Sequence, residues 1–377
     1  MRGSRASVAI IHPWLPQYRV PFFDLLGQVL RDRDVDLKVF VGDTPPEWKA
    51  RNDSSTSQHA KLLPTRFIKV GDRVLTYKSL ATLRQSKPYD LLVLEQAIRN
   101  LETYQLIAPP RLFTRIAYWG HGRTYTAAPH KIEEAIKMRM TLSADWFFGY
   151  TDQGVEHVVN QGFPRQRTTT VQNSIDTKRM QSDLDSVTEP ELKEFKLQHD
   201  LTSATALYIG GVDESKRIDF LLESGRRIFD QNPNFRLIIA GSGSDSHKVA
   251  ARAKIDTWIK PVGPVFGLQK ALAFRSSKVL MIPGRVGLVA VDSLTAGLPI
   301  ITTDWPFHAP EFEYLEKDST CVVSPDDMAL YSVIVAQTMA NSRALNEMAD
   351  KCRIEARKYT VEAMVTRFAD GIHSALS

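Results

Sequence analysis

The stretch that determines the fold class is residues 278–299, Lys278-Val-Leu-Met-Ile-Pro-Gly-Arg-Val-Gly-Leu-Val-Ala-Val-Asp-Ser-Leu-Thr-Ala-Gly-Leu-Pro299. Residues 278–282 form a continuous apolar run, which is typical of a strand covered on both faces of a parallel sheet. A glycine-rich turn follows. A helix is predicted from near Gly287 to the stop signal Gly297-Leu-Pro299, since glycine followed by proline ends helices.

The same strand-and-helix alternation continues outward in both directions. Strands are predicted at residues 8–11, 37–41, 67–70, 91–94, 115–119, 146–150, 206–209, 236–240, 257–259, 299–303 and 321–323. Helices are predicted at residues 21–30, 131–142, 153–160, 218–230 and 288–296. Alternation repeated this often predicts an α/β protein whose parallel sheets carry helices on both faces.

The length of 377 residues favours two domains. The polar stretch 176–199 lacks a strand pattern, and we interpret it as the connection, with a helix over 189–201 leading into the second domain. We therefore expect a Rossmann-like N-terminal domain over residues 1–178 and a Rossmann-like C-terminal domain over 179–355. Residues 356–377 are predicted to form a C-terminal helix that packs back on the N-terminal domain.

The composition is that of a globular protein with a small positive surplus. Net charge is +5, and no Lys/Arg run suggests a nucleic-acid partner. The surplus is compatible with peripheral contact with an anionic membrane face or with an anionic substrate. Two cysteines far apart in sequence argue against a disulfide framework or a zinc site, and the N-terminus lacks a signal-peptide core. We expect a cytoplasmic protein, with any membrane association peripheral.

Unusual residues cluster where the predicted strands end, which is where parallel α/β sheets bind ligands. They are His12 to Arg19, Gly120-His121-Gly122, Asn173-Ser-Ile-Asp176, Gly210-Gly211 with Lys216-Arg217, Gly241-Ser-Gly243 and Pro283 to Gly287. Gly241-Ser-Gly243 alone is typical of any tight strand-to-helix turn. The glycines before the 288–296 helix would let a phosphate reach amides at a helix N-terminus. Two such sheets suggest two domains with these ends opposed across a cleft.

The second half contains five blocks with a characteristic order and spacing. They are Tyr208-Ile-Gly-Gly-Val-Asp-Glu-Ser-Lys-Arg-Ile-Asp-Phe-Leu-Leu222, Ile239-Ala-Gly-Ser-Gly243, Gly287-Leu-Val-Ala-Val-Asp292, Ala296-Gly-Leu-Pro-Ile-Ile-Thr302 and Pro310-Glu311. Together these blocks resemble the donor domain of GT4 retaining glycosyltransferases, which have the GT-B fold. The first half is similar more loosely, through Tyr18-Arg-Val-Pro-Phe-Phe23 and Trp119-Gly-His-Gly122. Both resemble a branch that acts in bacterial polysaccharide and glycoconjugate assembly.

The resemblance implies roles for individual residues. Lys216 matches the lysine that neutralises the donor diphosphate, and amides near Gly287 and Leu288 match those that hold its phosphates. Asp292 matches the glutamate that binds the ribose, and His121 matches a histidine near the transferred sugar. The implied catalytic residues are His121 and Lys216. The wider donor set adds Gly210, Gly211, Arg217, Gly243, Gly284 and Arg285, and the acceptor side comprises Tyr18, Arg19, Glu95, His121 and Asn173. Glu95, at a strand end, either receives the acceptor or is an ordinary surface acid.

Two positions depart from the family pattern. Gly211 stands where the arginine partner of the lysine is usual, and Gly284 stands where the first glutamate of Glu-x7-Glu is usual. Losing one charge-assisted contact would cost about 1.5–3 kcal/mol. Arg217 or Arg285 could restore the cation, since each lies one residue from a motif position. Glycine at position 284 has no carboxylate with which to bind the hydroxyl groups of the donor sugar, as the family glutamate does.

The resemblance implies a metal-independent hexosyltransferase of class EC 2.4 that moves a sugar from a nucleotide sugar to a sugar, glycolipid or other hydroxyl acceptor, with retention and without a cofactor. A degenerate nucleotide-binding or scaffold protein is the alternative, motivated by Gly211 and Gly284. A nucleotide-sugar epimerase on the same fold is less favoured. A nicotinamide dehydrogenase is disfavoured, because residues 8–11 are not followed by Gly-x-Gly-x-x-Gly.

Overall fold

The computed structural model describes residues 5–46, 55, 57, 59–71, 73–85, 88–109, 112–125 and 130–377. Of these, the residues up to Ile175 and Val361–Ser377 form one compact unit, here called the N-terminal unit. Asp176–Thr360 form a second compact unit, the C-terminal unit. No helix in the described ranges combines the length and the apolar character needed to cross a bilayer.

The strands of the N-terminal unit build one parallel sheet and one separate ribbon. They are β1 (Ala6–His12), β2 (Val35–Val41), β3 (Ala60–Leu62), β4 (Thr65–Val70), β5 (Arg73–Lys78), β6 (Tyr89–Glu95), β7 (Phe113–Gly120), β8 (Trp146–Gly149) and β9 (Thr168–Thr170). The sheet has the order β3-β2-β1-β6-β7-β8-β9. All its pairs are parallel, and Val8 of β1 aligns with Leu37 on one side and Leu91 on the other.

The C-terminal unit contains a second parallel sheet. Its strands are β10 (Thr205–Ile209), β11 (Arg236–Ala240), β12 (Ile259–Gly263), β13 (Leu280–Met281), β14 (Ile300–Thr303) and β15 (Cys321–Ser324). The order is β12-β11-β10-β13-β14-β15. From β10 the chain adds β11 and β12 on one side of the sheet, and then β13, β14 and β15 on the other side. This reversal of strand order lies between β10 and β13, where doubly wound sheets open a ligand crevice. The prediction of an α/β fold with two parallel sheets is confirmed.

Fourteen α-helices lie in the described ranges. They are α1 (Val20–Asp32), α2 (Ala81–Arg84), α3 (Leu101–Ile107), α4 (Lys131–Leu142), α5 (Asp152–Asn160), α6 (Thr177–Ser186), α7 (Glu189–Gln198), α8 (Ile218–Gln231), α9 (Ser246–Ala253), α10 (Gly267–Arg275), α11 (Val289–Ala296), α12 (Met328–Ala340), α13 (Ser342–Ala356) and α14 (Val361–Leu376). Short 3-10 turns occur at Gln17–Arg19, Arg165–Arg167, Glu214–Lys216 and Pro310–Tyr314.

The core of the N-terminal unit follows from the alternation of β1. Val8 and Ile10 belong to an apolar cluster on one face of the sheet, while Ala9 and Ile11 belong to a cluster on the other face. Helices α1 and α14 supply the first cluster, where Phe368 lies 4.3 Å from the Phe148 ring centre. Both faces of the sheet are thus covered, as its apolar strands require.

The prediction for residues 67–70 was incomplete. They belong to β4, which pairs antiparallel with β5 in a two-stranded ribbon outside the main sheet. Only two residues, Gly71 and Asp72, separate these strands in the sequence, and a two-residue Gly-Asp linker is a hairpin signal. The parallel-sheet interpretation missed that signal, and it also missed the short edge strand β3.

Two further boundaries differ from the sequence predictions. The polar stretch 176–199 contains α6 as well as α7, and both helices belong to the C-terminal unit. Helix α7 starts with a capping box, in which Thr188 Oγ1 accepts from the Glu191 amide and a Glu191 carboxylate oxygen accepts from the Thr188 amide. Strand β12 begins at the last residue of the predicted 257–259 strand and continues to Gly263.

Candidate functional site

A cavity of about 280 Å³ opens in the C-terminal unit at the reversal point of its sheet, beyond the carboxyl ends of β10 and β13. It is lined by Tyr208, Ile209, Gly210, Gly211, Ser215, Lys216, Ile282, Arg285, Gly287, Leu288 and Val289. These residues carry two cationic side chains and no carboxylate. The volume lies close to the lower end of the range for small-molecule sites, which begins at about 300 Å³.

Lys216 reaches the cavity from the 3-10 turn that follows β10. Asp213 caps this turn, since its Oδ1 accepts from the amide of Ser215 at 3.1 Å. The ammonium group of Lys216 donates to the carbonyl oxygen of Arg285 at 2.5 Å. The Arg285 amide in turn donates to the carbonyl of Ser215 at 2.9 Å. Two hydrogen bonds therefore join the lysine turn to the loop before α11.

The loop before α11 presents backbone N–H groups to the same cavity. The Arg285 amide is taken by Ser215, and the Val286 amide donates to His308 Nδ1 at 3.1 Å. The next three amides, of Gly287, Leu288 and Val289, have no hydrogen-bond partner among the described residues. Because they begin an α-helix and border the cavity, they form a partial positive charge suited to an anion.

His308, which the sequence analysis missed, fixes this loop from behind. Its Nδ1 accepts from the Val286 amide, and its Nε2 lies 2.9 Å from the Thr303 carbonyl, so the ring is neutral with its proton on Nε2. Burial lowers the pKa of His308, and the nearby cations of Lys216, Arg285 and Arg217 lower it further. No motif marks the residue, and only its position in the loop after β14 could have suggested it.

Gly284 lies outside the cavity lining, pressed against the lysine turn. A Cβ atom on Gly284 would come within 2.6 Å of the Lys216 carbonyl carbon and 2.7 Å of the Ser215 carbonyl oxygen. Both neighbours are backbone atoms, and real Cβ atoms essentially never approach that closely. With this backbone, the position admits no side chain, so the missing family glutamate could not be accommodated here.

The structure separates the two arginines that could replace the missing cation. Arg285 lines the cavity, whereas Arg217 does not. The guanidinium of Arg217 pairs with Asp326, contacts Thr303 Oγ1 at 3.3 Å and lies 4.3 Å above the Phe220 ring. Of the two, Arg285 is the arginine at the cavity, and its guanidinium donates to the Phe307 carbonyl at 3.4 Å.

Two other members of the expected donor set also lie outside the lining. The Asp292 carboxylate, expected to meet sugar hydroxyls, pairs with the Lys270 ammonium at 2.6 Å, and its side chain is 14% exposed. It lies in the first turn of α11. Gly243 packs on backbone, because a Cβ there would lie 2.2 Å from the Val212 carbonyl oxygen. This close approach explains why position 243 is a glycine.

In the N-terminal unit, His121 follows β7 and is exposed. Its ring centre lies 4.6 Å from that of Tyr150, with the two planes tilted by 31°. The turn that carries it is held by Gln96, whose Oε1 accepts from the Gly122 amide at 2.9 Å. Gly122 has φ +78 and packs so closely on Gly154 that a Cβ would lie 2.2 Å from its carbonyl oxygen. His121 therefore lies on a turn that is fixed by a hydrogen bond and by close packing, and its side chain remains exposed.

The other expected acceptor-side residues lie at the ends of β1, β6 and β9. Arg19 and Asn173 are buried and bonded, with Arg19 Nη2 donating to Asn173 Oδ1 at 2.8 Å. Tyr18 is 37% exposed above the Arg19 guanidinium. Glu95 is half-buried, burial raises the pKa of its carboxyl group, and its Oε2 accepts from Asn100 Nδ2 at 2.8 Å. Only Tyr18 and His121 of this set are exposed.

The structure thus brings together part of the expected donor set. Six of its members line one cavity, namely Gly210, Gly211, Lys216, Arg285, Gly287 and Leu288, while Arg217, Gly243, Gly284 and Asp292 do not. No cluster of three or more His, Cys, Asp or Glu side chains suited to a metal ion occurs in the described part of the chain.

Comparison with solved structures shows the same fold over the whole chain. A sucrose-phosphate synthase from Thermosynechococcus elongatus matches with a TM-score of 0.70 at 14% identity, covering 98% of each chain. Anabaena HepE in complex with UDP matches at 0.69 and 12%, covering 98% of this chain and all of that one. A glycosyltransferase from Rickettsia africae matches at 0.71 and 10% with full coverage of both.

The sequence comparisons address the C-terminal unit. No curated protein sequence matches the chain. The family model described as Glycosyl transferases group 1 matches residues 203–341, which include the cavity and the loops that form it. Residues 203–341, where the sequence resemblance is strongest, are therefore similar to glycosyl transferases group 1, and the chain has the GT-B fold.

Proposed function

We propose that the chain transfers a sugar from a nucleotide-sugar donor to a hydroxyl group of a glycan, lipid-linked or other acceptor, with retention of configuration. The supporting observation is that Lys216 and three helix-start amides border one cavity. The amides are those of Gly287, Leu288 and Val289, which have no hydrogen-bond partner in the described part of the chain. Structures of HepE with UDP-glucose and of Staphylococcus aureus TarM with UDP agree with this ligand class.

The proposed reaction uses these groups on the leaving diphosphate. The bond between the anomeric carbon and the phosphate oxygen breaks, and negative charge develops on that oxygen. Lys216, Arg285 and the N-terminus of α11 stabilise the charge electrostatically. The acceptor oxygen bonds to the anomeric carbon on the same face, and its proton passes to the leaving phosphate. Side-chain and backbone charges balance the diphosphate, so the proposal includes neither metal ion nor cofactor.

The finer assignments belong to the same proposal. We assign the activity to GT4 and to polysaccharide or glycoconjugate assembly, with a hexose as the transferred sugar and a cytoplasmic location. Two buried, unpaired cysteines, Cys321 and Cys352, support a reducing compartment. Exposed His121 is proposed to position the transferred sugar, with Tyr18 on the acceptor side. We assign acceptor binding to residues 1–178 and nucleotide-sugar binding to residues 179–355, with residues 356–377 as a C-terminal helix that packs on the N-terminal domain.

The test is ligand-dependent stabilisation followed by turnover. The melting temperature is measured with UDP, GDP, ADP and TDP, because a bound ligand stabilises according to its concentration over its Kd. Lys216→Met should weaken binding of the stabilising nucleotide by about ten- to a hundredfold, the loss of one charge-assisted contact. Arg285→Gln should weaken it and Arg217→Gln should not. Lys248→Met, on the surface of the same unit, is the matched control.

A second candidate is a nucleotide-binding protein without turnover. Gly284 favours it, because the position that carries a glutamate in the family is closed by backbone. Incubation of the purified chain with nucleotide sugars distinguishes the two. Release of nucleoside diphosphate, abolished in Lys216→Met, supports the transferase. Tight nucleotide binding with no release and no transfer to any acceptor would assign the scaffold role instead.

A further inference from the structure

The exposed large aliphatic side chains of the N-terminal unit are concentrated on a small part of its surface. Those described are Leu62, Ile68, Val70, Ile132, Ile136 and Leu142, all on β3, β4 or α4. Ile132 is 65% exposed, Val70 55%, Ile136 44% and Ile68 42%. Scattered exposed aliphatics are ordinary, but a group confined to two segments suggests a contact surface.

The two segments adjoin. Arg73 in β5 forms an ion pair of 2.5 Å with Glu133 in the first turn of α4. Ile68 and Val70 lie two residues apart on one face of the ribbon, and Val70 pairs across it with Arg73. Ile132 and Ile136, one helical turn apart, share a side of α4. We call β4, β5 and α4 together the ribbon–helix surface.

This surface is also rich in cations. Residues 65–78 and 131–142 contain seven Lys or Arg and three Asp or Glu. Of the cations, Lys78 is buried in an ion pair with Glu102, and the other six are not buried. Glu133 is paired with Arg73 and Arg99, and Glu134 is paired with Lys137. Lys69, Lys131 and Arg139 are exposed and have no ion pair within the described ranges.

Exposed aliphatic side chains, next to cations that form no ion pair in the described ranges, indicate a partner that is both apolar and anionic. Hydrocarbon takes up the isoleucines, while anionic headgroups attract the Lys and Arg side chains. A second copy of this chain would bring like charges together across a two-fold interface. A nucleic acid would use the cations but leave the isoleucines in water. We propose that the ribbon–helix surface docks the N-terminal unit on an anionic phospholipid bilayer.

Docking of this kind is peripheral, with the isoleucine side chains entering the boundary between headgroups and acyl chains. Each cation near an anionic bilayer adds attraction that salt weakens, whereas burial of the aliphatic side chains does not weaken with salt. Binding should therefore need both anionic lipid and the isoleucines. The surface lies wholly in the N-terminal unit, so the proposal stands independently of the nucleotide cavity.

The experiment is co-sedimentation of the full chain with vesicles of phosphatidylcholine, with and without phosphatidylglycerol. The wild type should bind the mixed vesicles, and pure phosphatidylcholine should bind it at least about tenfold more weakly, since several cations contribute. The double variant Ile132→Asp/Ile136→Asp and the double variant Lys131→Glu/Arg139→Glu should each lose at least about tenfold. Ile255→Asp/Ile354→Asp, which alters exposed isoleucines of the C-terminal unit, is the control and should bind like the wild type.

Circular dichroism and nucleotide-induced stabilisation establish that each variant is folded. Equal wild-type binding to both vesicle types, or no binding to either, overturns the proposal. So does retained binding in the isoleucine variant, which would leave only a non-specific electrostatic contact. Sedimentation velocity without lipid tests the other occupant: a dimer that Ile132→Asp/Ile136→Asp dissociates would assign the surface to a second copy.

Discussion

Replacing Gly284 with alanine measures how closely the lysine turn packs on the loop before α11. The added Cβ would lie within 2.8 Å of three backbone atoms of Ser215 and Lys216. Backbone cannot rotate away as a side-chain end does, so the turn must move. That movement strains the hydrogen bond from the Arg285 amide to Ser215 and the bond from Lys216 to the Arg285 carbonyl.

The expected loss of unfolding free energy follows from these terms. Overpacking of a tight site costs about 1–3 kcal/mol. Each weakened hydrogen bond adds about 0.5–1.5 kcal/mol. A loss of about 2 kcal/mol is thus the lower bound, which lowers the melting temperature of a unit of this size by at least about 4 °C. Because Lys216 is displaced, stabilisation by a nucleoside diphosphate should fall as well.

Gly287→Ala is the matched control three residues away. Its nearest neighbour to an added Cβ is the Ala309 Cβ at 3.6 Å, an ordinary contact, and the melting temperature should change little. Gly284→Glu is the second comparison. The sequence pattern alone predicts that restoring the family carboxylate improves the donor site, whereas the structure predicts a loss at least as large as for alanine. If Gly284→Ala and Gly287→Ala melt within about 1 °C of each other, or if Gly284→Glu gains nucleotide affinity, the packing argument is refuted.

Two further predictions concern buried titratable side chains of the N-terminal unit. Burial, aided by Arg19, lowers the pKa of His12 from 6.5 to about 3, so only the unfolded chain gains its proton as the pH falls below 6.5. Stability present above 6.5 is then lost, by about 2 kcal/mol between pH 7 and 5, and urea unfolding should show less of this loss in His12→Asn. The buried pair Lys78–Glu102, at 2.8 Å and no more than 3% exposed, should make Lys78→Met or Glu102→Gln cost about 3–5 kcal/mol. The double variant should recover part of that loss, and a double variant that costs as much as the two single variants added together would show that the charges do not depend on each other.

Local sequence signals were sufficient to predict the strand–turn–helix unit at 278–299 and to single out Lys216. A continuous apolar run, a glycine-rich turn and a Gly-Leu-Pro stop each act within a few residues, so they do not depend on the rest of the chain. The position of Lys216 followed from a block with fixed spacing. The structure accordingly has β13, α11 and Lys216 around one cavity.

Contacts between distant segments could not be predicted in this way. His308 reaches Val286 across 22 residues, and Lys270 reaches Asp292 across 22, but neither spacing has a pattern in a single sequence. The resemblance implied that Asp292 binds the ribose of a donor. In the structure its carboxylate pairs with a lysine of α10, whose proximity depends on helix packing. The identity of that partner therefore required the fold.

The glycine departures change meaning once the backbone is known. From the sequence, Gly284 is a lost carboxylate and Gly211 a lost cation, two independent defects. In the structure, the space at Gly284 is filled by the Lys216 backbone, and Arg285, the next residue, enters the cavity lining. No acid remains among the lining residues, so a diphosphate there would meet two cations and three helix-start amides without opposition from a carboxylate. The cavity should therefore bind the leaving group firmly and the sugar hydroxyls weakly, which makes nucleoside diphosphate a strong product inhibitor relative to nucleotide sugar.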